Sequence, residues 1–127
     1  MHIWLPDTNV WVRYLNPQAF QVKAHFLKHP AGTICLCDVG KAELYFGAFK
    51  STRREENLAL LDELSNSSLS LPFDGSAARR FGQIRTKLAK AGTPIGPYDL
   101  QIAAIALRHG AREFSRVANL NLGDWKT

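Results

Sequence analysis

The spacing of apolar and polar positions changes several times along the chain. Three short apolar runs, at residues 2–5, 33–39 and 69–73, have the length and composition of β-strands. Between these runs, apolar residues recur every three or four positions, as they do on the buried face of a helix. Strands that alternate with helices predict an α/β domain of three layers, in which helices flank a mainly parallel sheet.

The helical periodicity predicts six helices, over residues 10–15, 18–29, 41–50, 53–64, 77–91 and 100–109. Cap and turn residues mark their ends. Asp74 or Ser76 can cap the fifth helix, and Asp99 is a natural N-cap for the sixth. A serine-rich stretch at residues 65–68 predicts the end of the fourth helix. Glu43 is expected in the first turn of the third helix.

Composition limits the number of domains and the location. A chain of 127 residues, 46% hydrophobic, can bury one core, so we expect a single domain over residues 1–127. No apolar run approaches the roughly 20 residues that span a bilayer, and the start of the chain lacks the pattern of a signal peptide. We therefore expect a soluble, cytoplasmic protein.

Its two cysteines, Cys35 and Cys37, share one face of a strand and are expected to be buried free thiols.

The charge and the missing motifs narrow the function. A net charge of +5 favours a polyanionic partner such as nucleic acid, although many basic proteins bind none. The sequence has no glycine-rich phosphate-binding loop and no G-x-S-x-G turn. This absence disfavours nucleotide binding and serine-hydrolase chemistry.

Three carboxylates, Asp7, Glu43 and Asp99, fall at or near points where predicted strands end and helices begin. In an open α/β sheet such points lie along the carboxyl edge, where functional residues gather. Carboxylates brought together there would repel each other unless a cation lay among them. Mg²⁺ or Mn²⁺ prefers oxygen ligands and can promote phosphodiester hydrolysis. Each carboxylate also has a structural explanation, because Asp7 and Asp99 can cap helices and Glu43 can oppose a helix dipole.

Five groups of residues form a recognisable pattern along the chain. They are Pro6-Asp7-Thr8-Asn9-Val10; Val39-Gly40-Lys41-Ala42-Glu43-Leu44 with Gly47-Ala48; Ile84-Arg85; Ala91-Gly92-Thr93-Pro94-Ile95-Gly96-Pro97-Tyr98-Asp99 with Ile102-Ala103; and Arg112-Glu113-Phe114-Ser115-Arg116-Val117 with Asp124-Trp125. In these groups the chain resembles VapC-like PIN-domain toxins of VapBC toxin–antitoxin pairs. The resemblance covers nearly the whole chain, and its last two groups are highly specific.

The resemblance implies a PIN-like fold and a metal-dependent endoribonuclease toxin of a type II toxin–antitoxin system. It implies that Asp7, Glu43 and Asp99 bind Mg²⁺ or Mn²⁺ and help to orient the attacking water. Glu113 would be a fourth acidic group, and Asn9 a supporting polar neighbour. The implied substrate is structured cellular RNA, transfer RNA in particular. The implied partners are a second copy of the chain, as a homodimer, and a VapB-like antitoxin whose tail enters the acidic groove.

Under this resemblance, cations around the acidic groove must hold the RNA backbone, because the groove itself repels RNA. The polar face of the fifth predicted helix supplies the candidates, which are Arg79, Arg80, Arg85, Lys87 and Lys90. A solvated helix face explains each of these residues equally well. Tyr98 and Trp125 are candidates for stacking on bases, although ordinary aromatic packing is the commoner fate of such residues.

One stretch departs from the family pattern. Between His109-Gly110 and Arg112-Glu113-Phe114 the family has a short apolar strand that ends in a Thr-Asn or Thr-Asp turn, whereas here Ala111 alone bridges the gap. The sequence therefore predicts a sheet that lacks one family strand, beside the first. Either residues 120–122 pair with the first strand instead or a second chain fills the place by exchange, and both displace Glu113. A chain that keeps the fold but cleaves poorly is the third alternative.

Two other functions fit parts of the pattern. Asp7 follows a first strand, as does the nucleophile of haloacid dehalogenase-type phosphatases, but that family has a second aspartate where Asn9 stands. A catalytically impaired PIN domain that binds RNA or an antitoxin would fit the missing strand and the cationic helix. Such a module would retain its affinity for RNA without divalent ions and would not cleave when they are restored.

Overall fold

The computed structural model describes residues 3–16, 20–29, 32–93 and 95–114. Within these ranges four strands and six helices follow one another. In chain order they are β1 (Ile3–Pro6), α1 (Thr8–Leu15), α2 (Phe20–Leu27), β2 (Leu36–Cys37), α3 (Asp38–Lys50), α4 (Arg54–Ser67), β3 (Ser70–Leu71), α5 (Gly75–Ala91), α6 (Pro97–His109) and β4 (Ala111–Phe114). None of the helices in these ranges is both long enough and apolar enough to cross a bilayer. The predicted α/β class is confirmed.

The strands of the described part of the chain pair in parallel. β1 pairs with β4, with Ile3 opposite Ala111, and β2 pairs with β3. A parallel bridge between Trp4 and Ile34 joins the two pairs, and the Trp4 N–H donates to the Thr33 carbonyl at 2.6 Å. Because the strands run in one direction, the residues that follow β1 and β2 emerge at the same edge.

The place beside β1 where a strand was expected to be missing is filled by β4. A strand needs backbone partners and one packed face, and the residues directly after Gly110 supply both. Ala111 packs against the core, and the Arg112 guanidinium lies 5.3 Å from the centre of the Trp4 ring. The prediction of a missing strand is therefore wrong. β1 has a neighbour on both edges, β4 on one side and Ile34 at the Trp4 bridge on the other, which leaves no edge for a second chain. Residues 120–122, the other alternative, lie outside the described residues.

The core lies on both faces of the sheet. Leu36 and Cys37 are successive residues of β2, so their side chains point to opposite faces. Leu36 packs with apolar residues of α1, α3 and α4, whereas Cys37 and Cys35 pack with β1, β3, α5 and α6. Helices thus cover both faces, which is the predicted three-layer arrangement. Both cysteines are buried and free, as expected.

Several boundaries differ from the prediction: α1, α3, α5 and α6 begin two or three residues earlier than expected, and β2 and β3 are shorter. β2 is only two residues long, because α3 already begins at Asp38, and this places Glu43 in the second turn of α3 rather than the first. α4 continues through the serine-rich stretch to Ser67. There the Ser67 hydroxyl donates to the Leu64 carbonyl, and Ser65 contacts Tyr45 of α3. The serine hydroxyls thus have hydrogen-bond partners within and beside the helix, and the stretch does not end it.

Candidate active site

Asp7 follows β1 directly and caps α1. Its side chain is 8% exposed, and its Oδ1 accepts a hydrogen bond from the Val10 backbone N–H at 3.0 Å. The predicted capping role is confirmed. The cap holds the carboxylate at the carboxyl end of β1, beside the positive end of the α1 dipole.

Glu43 reaches the same edge from α3. Its Oε1 accepts a hydrogen bond from the Thr8 hydroxyl at 3.0 Å, and Thr8 is the first residue of α1, next to Asp7. The structure therefore links Asp7 and Glu43 through Thr8. Sequence reasoning missed the role of Thr8, although a short hydroxyl directly after a buried aspartate was a usable signal.

Asp99 lies in the first turn of α6 and is exposed. The prediction that Asp99 caps this helix is wrong, because α6 begins two residues earlier at Pro97 and Gly96 is its N-cap. Proline suits the first position of a helix, where no backbone N–H is needed. The Asp99 carboxylate lies beside Gly96, with Oδ2 3.8 Å from the place a Cβ would occupy there. α6 packs against α3, so Asp99 and Glu43 belong to neighbouring helices.

The type of ligand in this region suits Mg²⁺ or Mn²⁺, since Asp7, Glu43 and Asp99 offer carboxylate oxygens. Within the described residues, no group of three or more histidine, cysteine, aspartate or glutamate side chains is close enough together to hold a metal ion. The contact through Thr8 relates Asp7 to Glu43. Convergence of Asp99 on the same ion stays a prediction.

A thiol caps the helix that carries Glu43. Cys37 ends β2, and its Sγ accepts a hydrogen bond from the Gly40 N–H at 3.3 Å. Burial raises the pKa of the Cys37 thiol to about 11, and the nearby charges of Asp38 and Glu43 act in the same direction. The thiol is therefore protonated and unreactive at neutral pH. A Cβ at Gly40 would lie 3.3 Å from Cys37 Sγ and 3.8 Å from Thr8 Oγ1, so glycine allows the close approach of α3 and α1.

The remaining predicted site residues lie on α1, β4 and α5. Asn9 is exposed in the first turn of α1. Glu113 lies within β4, opposite Leu5, instead of after a strand as in the family pattern. The five cationic candidates are all exposed on α5, whose sequence contains no acidic residue; they are Arg79, Arg80, Arg85, Lys87 and Lys90. Their contact with RNA stays a prediction.

A groove of about 540 Å³ runs from Thr8 and Glu43 along α1, α3 and α4. Its lining is largely apolar and includes Val12, Leu15, Leu44, Gly47, Ala48, Leu60 and Leu61. The end away from Glu43 carries an ion pair between Arg53 Nη2 and Glu56 Oε2 at 2.8 Å. Large apolar residues, among them Val12 and Leu60, are exposed along it. An apolar groove of this kind suits an extended or helical segment of a partner protein; we refer to it as the α1–α3–α4 groove.

Known proteins match the chain almost from end to end. Residues 4–119 match the PIN domain family. The tRNA(fMet)-specific endonuclease VapC of Shigella flexneri is 36% identical over 126 residues, which cover 94% of this chain and 95% of that protein. Ribonuclease VapC2 of Haemophilus influenzae is 32% identical over 129 residues, which cover 96% and 97% of the two chains.

Solved structures show the same architecture. A chain in the crystal structure of DNA-bound VapBC from Salmonella typhimurium has a TM-score of 0.81 and 30% identity, over 100% of this chain and 92% of that chain. FitAcB from Neisseria gonorrhoeae has a TM-score of 0.77 and 26% identity, over 97% and 91% of the two chains. The shared fold therefore includes the elements that carry Asp7, Glu43 and Asp99.

Proposed function

This chain belongs to the PIN domain family, and from that membership we propose that it is the toxin of a VapBC-type type II toxin–antitoxin pair, a divalent-metal-dependent endoribonuclease. In this proposal it hydrolyses phosphodiester bonds of structured cellular RNA in the cytoplasm. Relatives named tRNA(fMet)-specific endonucleases make transfer RNA the proposed substrate. Their almost complete coverage supports one domain over residues 1–127.

The contact between Thr8 and Glu43 is the observation that carries the proposal. It places a carboxylate from α3 beside the residue that follows Asp7, at the carboxyl end of β1. Two acidic side chains from distant parts of the chain repel each other, so their approach is stabilised when a cation neutralises them. This is the arrangement that a phosphodiesterase with a hard divalent ion requires.

The proposed ligands of the ion are Asp7, Glu43 and Asp99. When bound, Mg²⁺ or Mn²⁺ would neutralise charge on the phosphate and make a water molecule more acidic. The α1 cap holds one oxygen of Asp7, and the Thr8 hydroxyl holds one oxygen of Glu43. Both carboxylates are therefore oriented before RNA binds. Asn9 is proposed as a polar neighbour, and Glu113, on the strand beside β1, remains the candidate for a fourth acidic group.

The exposed cations of α5 are proposed to hold the RNA backbone. Five of them lie on a helix without acidic residues, and the whole chain carries a net charge of +5. Phosphate contacts of this kind release counterions from RNA, so binding should weaken steeply as salt is added.

A VapB-like antitoxin is the proposed regulator, and a second copy of the chain is the proposed dimer partner. The solved relatives are complexes named VapBC and FitAcB. The α1–α3–α4 groove supports an antitoxin segment as its occupant, because its apolar lining leads directly to Glu43. A segment seated there with a basic residue toward Glu43 would block the site by charge as well as by bulk.

The alternative function is a catalytically impaired PIN domain that binds RNA or an antitoxin. Its main support was the missing strand, which β4 replaces. The position of Glu113 inside β4 is the feature that still favours it. Well-folded protein that bound RNA but cut none in either metal would make this alternative the preferred function.

The sharpest test of the nuclease uses Asp7→Asn, because asparagine keeps the α1 cap and removes the charge. Purified protein is incubated with transfer RNA and total RNA in Mg²⁺ or Mn²⁺, with an EDTA control, and new RNA ends are mapped. We expect discrete metal-dependent cuts and a loss of roughly a hundredfold or more in Asp7→Asn. Glu63→Gln, which removes an exposed carboxylate from α4, should cleave like wild type. Cleavage that survives EDTA or Asp7→Asn would disprove the proposal.

A further inference from the structure

A second cavity of about 340 Å³ lies between the C-terminal half of α5 and the loop that leads into α6. Its lining is mostly apolar and includes Phe81, Leu88, Ile95, Pro97 and Leu100. Arg85 is the one charged residue among the described residues that line it. The cavity shares no described lining residue with the α1–α3–α4 groove, so it is a separate feature of the surface.

This cavity lies next to a candidate metal ligand. Pro97 and Leu100, which line it, stand on either side of Asp99 in the first turn of α6. One turn of helix rises by about 5.4 Å, so two residues of the cavity lining lie within one helical turn of Asp99. The cavity lining thus includes residues of the turn that carries Asp99, whereas the groove lining includes Glu43 itself.

The chemistry of the cavity suits a nucleobase. A flat ring could bury its faces against Phe81, Leu88 and Leu100, and the Arg85 guanidinium can stack on a base or bind a neighbouring phosphate. None of the described lining residues is a carboxylate that would repel the phosphate. Lys87 and Lys90 are exposed on the same half of α5, where their positive charge would attract the RNA backbone.

Two large side chains beside the cavity are exposed to solvent. Ile95, in its lining, is 41% exposed. Tyr98, which follows the lining residue Pro97 in the first turn of α6, is 57% exposed. Exposed apolar surface that borders a cavity marks a binding site more often than a bare surface does. An exposed aromatic ring can also take a second base by stacking.

We propose that this cavity, which we name the base pocket, binds one unstacked base of the RNA beside the bond that is cut. The inference rests on the ribonuclease function proposed above. Proteins read RNA sequence mainly on bases that are splayed out of the helix. The base pocket would therefore help to select the bond, and the acidic residues would cut it.

A pocket-filling variant tests this proposal. Ala89 lines the base pocket and is exposed, so Ala89→Trp fills the pocket from α5. Ala78→Trp, at an exposed position in the other half of α5, is the matched control. Both variants and wild type are assayed on an RNA with a mapped cut and on copies that lack one base each around that cut.

We expect the loss of cleavage rate caused by the variant and the loss caused by the missing base to be non-additive. Wild type and Ala78→Trp should slow by about tenfold or more when one particular base is missing. Ala89→Trp should be slowed by a similar factor on the intact RNA and should be indifferent to the missing base. Losses that multiply, or no position at which the missing base matters, would overturn the proposal.

Binding separates this inference from the nuclease proposal. The Asp7→Asn variant is titrated in EDTA with the same RNAs, with and without Ala89→Trp. A base-dependent affinity that Ala89→Trp removes supports the pocket even if wild type cuts nothing, in which case only the nuclease proposal fails. Equal affinity for every RNA overturns the pocket even if cleavage is efficient.

Two further controls cover folding and self-association. Arg85→Ala, compared with Arg79→Ala on the other half of α5, repeats the test without added bulk. Arg79→Ala should weaken binding of every RNA by the same factor, and only Arg85→Ala should lose the base dependence. Sedimentation of the Ala89→Trp variant reports its oligomeric state. A dimer that becomes a monomer through Ala89→Trp would show that a second copy covers the cavity, and this result would overturn the proposal.

Discussion

Thr8 connects two candidate metal ligands, one by the chain and one by a hydrogen bond. It follows Asp7 in the sequence and donates its proton to Glu43 Oε1. A hydroxyl has a single proton to donate, so this contact holds Glu43 in one orientation. We therefore predict that Thr8 is a positioning residue, which acts through Glu43.

Replacement of Thr8 should change the metal dependence of cleavage. Thr8→Val keeps the shape and removes the hydroxyl, and we expect the Mg²⁺ concentration for half-maximal cleavage to rise roughly 10- to 100-fold. Thr8→Ser should restore most of the activity. Thr86→Val, which removes a hydroxyl bonded to Gly82 within α5, is the control. An unchanged metal requirement in Thr8→Val, measured by metal titration, would contradict this role.

Single residues differ in how far the sequence could place them. The cap at Asp7 depends on atoms only three residues away, so local sequence decides it. The roles of Thr8 and Cys37 depend on how closely α1 and α3 approach, which is a matter of packing. The sequence places the cap wrongly at Asp99, because Pro97 suits a loop as well as it suits the first position of α6, where it lies.

Among the elements, α5 has both of its ends fixed by specific residues. Asp74 caps it by accepting the Ala77 N–H at 2.8 Å, and Gly92 ends it in the left-handed conformation with φ of 71°. The Nε atom of Arg108 in α6 lies 3.5 Å from Asp74 Oδ2. The hydrogen bond from Ala77, with help from the charge of Arg108, lowers the pKa of Asp74. The helix that carries the cations is thus anchored to the helix that carries Asp99.

The Asp74 cap should make stability depend on acid pH. Because the pKa is lowered in the folded state, the stabilisation is complete above the ordinary carboxyl value of about 4 and is lost as the pH falls through the lower folded value. Asp74→Asn keeps a cap oxygen but no charge, so it should melt a few degrees below wild type at pH 7. Thermal unfolding between pH 7 and pH 2 should show this gap close in acid. A gap that stays constant would rule out the charge as its cause.

The sequence predicted an element well where one apolar periodicity persisted along it. It predicted an element badly where the neighbouring elements in the fold determine its structure. α5 follows from its apolar stripe and from Asp74 and Gly92 at its ends. β4 could not be found in this way, because Ala-Arg-Glu-Phe has no apolar strand pattern and the family pattern places Arg-Glu-Phe after a strand instead of within one. It becomes a strand because β1 offers an open edge and the left-handed turn at Gly110, with φ of 67°, directs the chain toward it.

At the scale of the whole molecule, the two openings near the acidic residues lie on different helices. The α1–α3–α4 groove reaches Glu43, and the base pocket is lined by Pro97 and Leu100 of the α6 turn that contains Asp99. A partner protein and an RNA base could therefore approach the site by separate routes. Inhibition by an antitoxin would then depend on the groove and be insensitive to changes in the base pocket.

Filling the groove should weaken the antitoxin complex. Gly47 lines the groove, and an added Cβ there meets no atom within 4 Å, so Gly47→Leu projects into the groove without strain. We expect at least a tenfold weaker complex with a VapB-like antitoxin that co-purifies with wild type, measured by calorimetry. Gly82→Leu is the matched control, since Gly82 is an equally open helical glycine on α5. Both variants should be more stable than wild type by up to about 1 kcal/mol. Full affinity of Gly47→Leu would exclude the groove as the antitoxin site.

The overall architecture could be predicted from the order of apolar patterns along the sequence. Only the outline of the site could be predicted in the same way. Alternating strands and helices gave the layers, and the carboxyl-edge rule gave Asp7 and Glu43 as neighbours. The groove and the base pocket arise from how four helices and a loop pack. Such concavities leave no periodic signal in the sequence.

The pairing of β1 with β4 also sets an order of events during synthesis. The two strands are about a hundred residues apart, and translation at about 5–20 residues per second separates them by a time on the order of ten seconds. Until β4 has left the ribosome, one edge of β1 has no partner, and the strand that places Asp7 is incomplete. The proposed nuclease therefore stays unfinished while it is still next to the RNA of the ribosome that makes it.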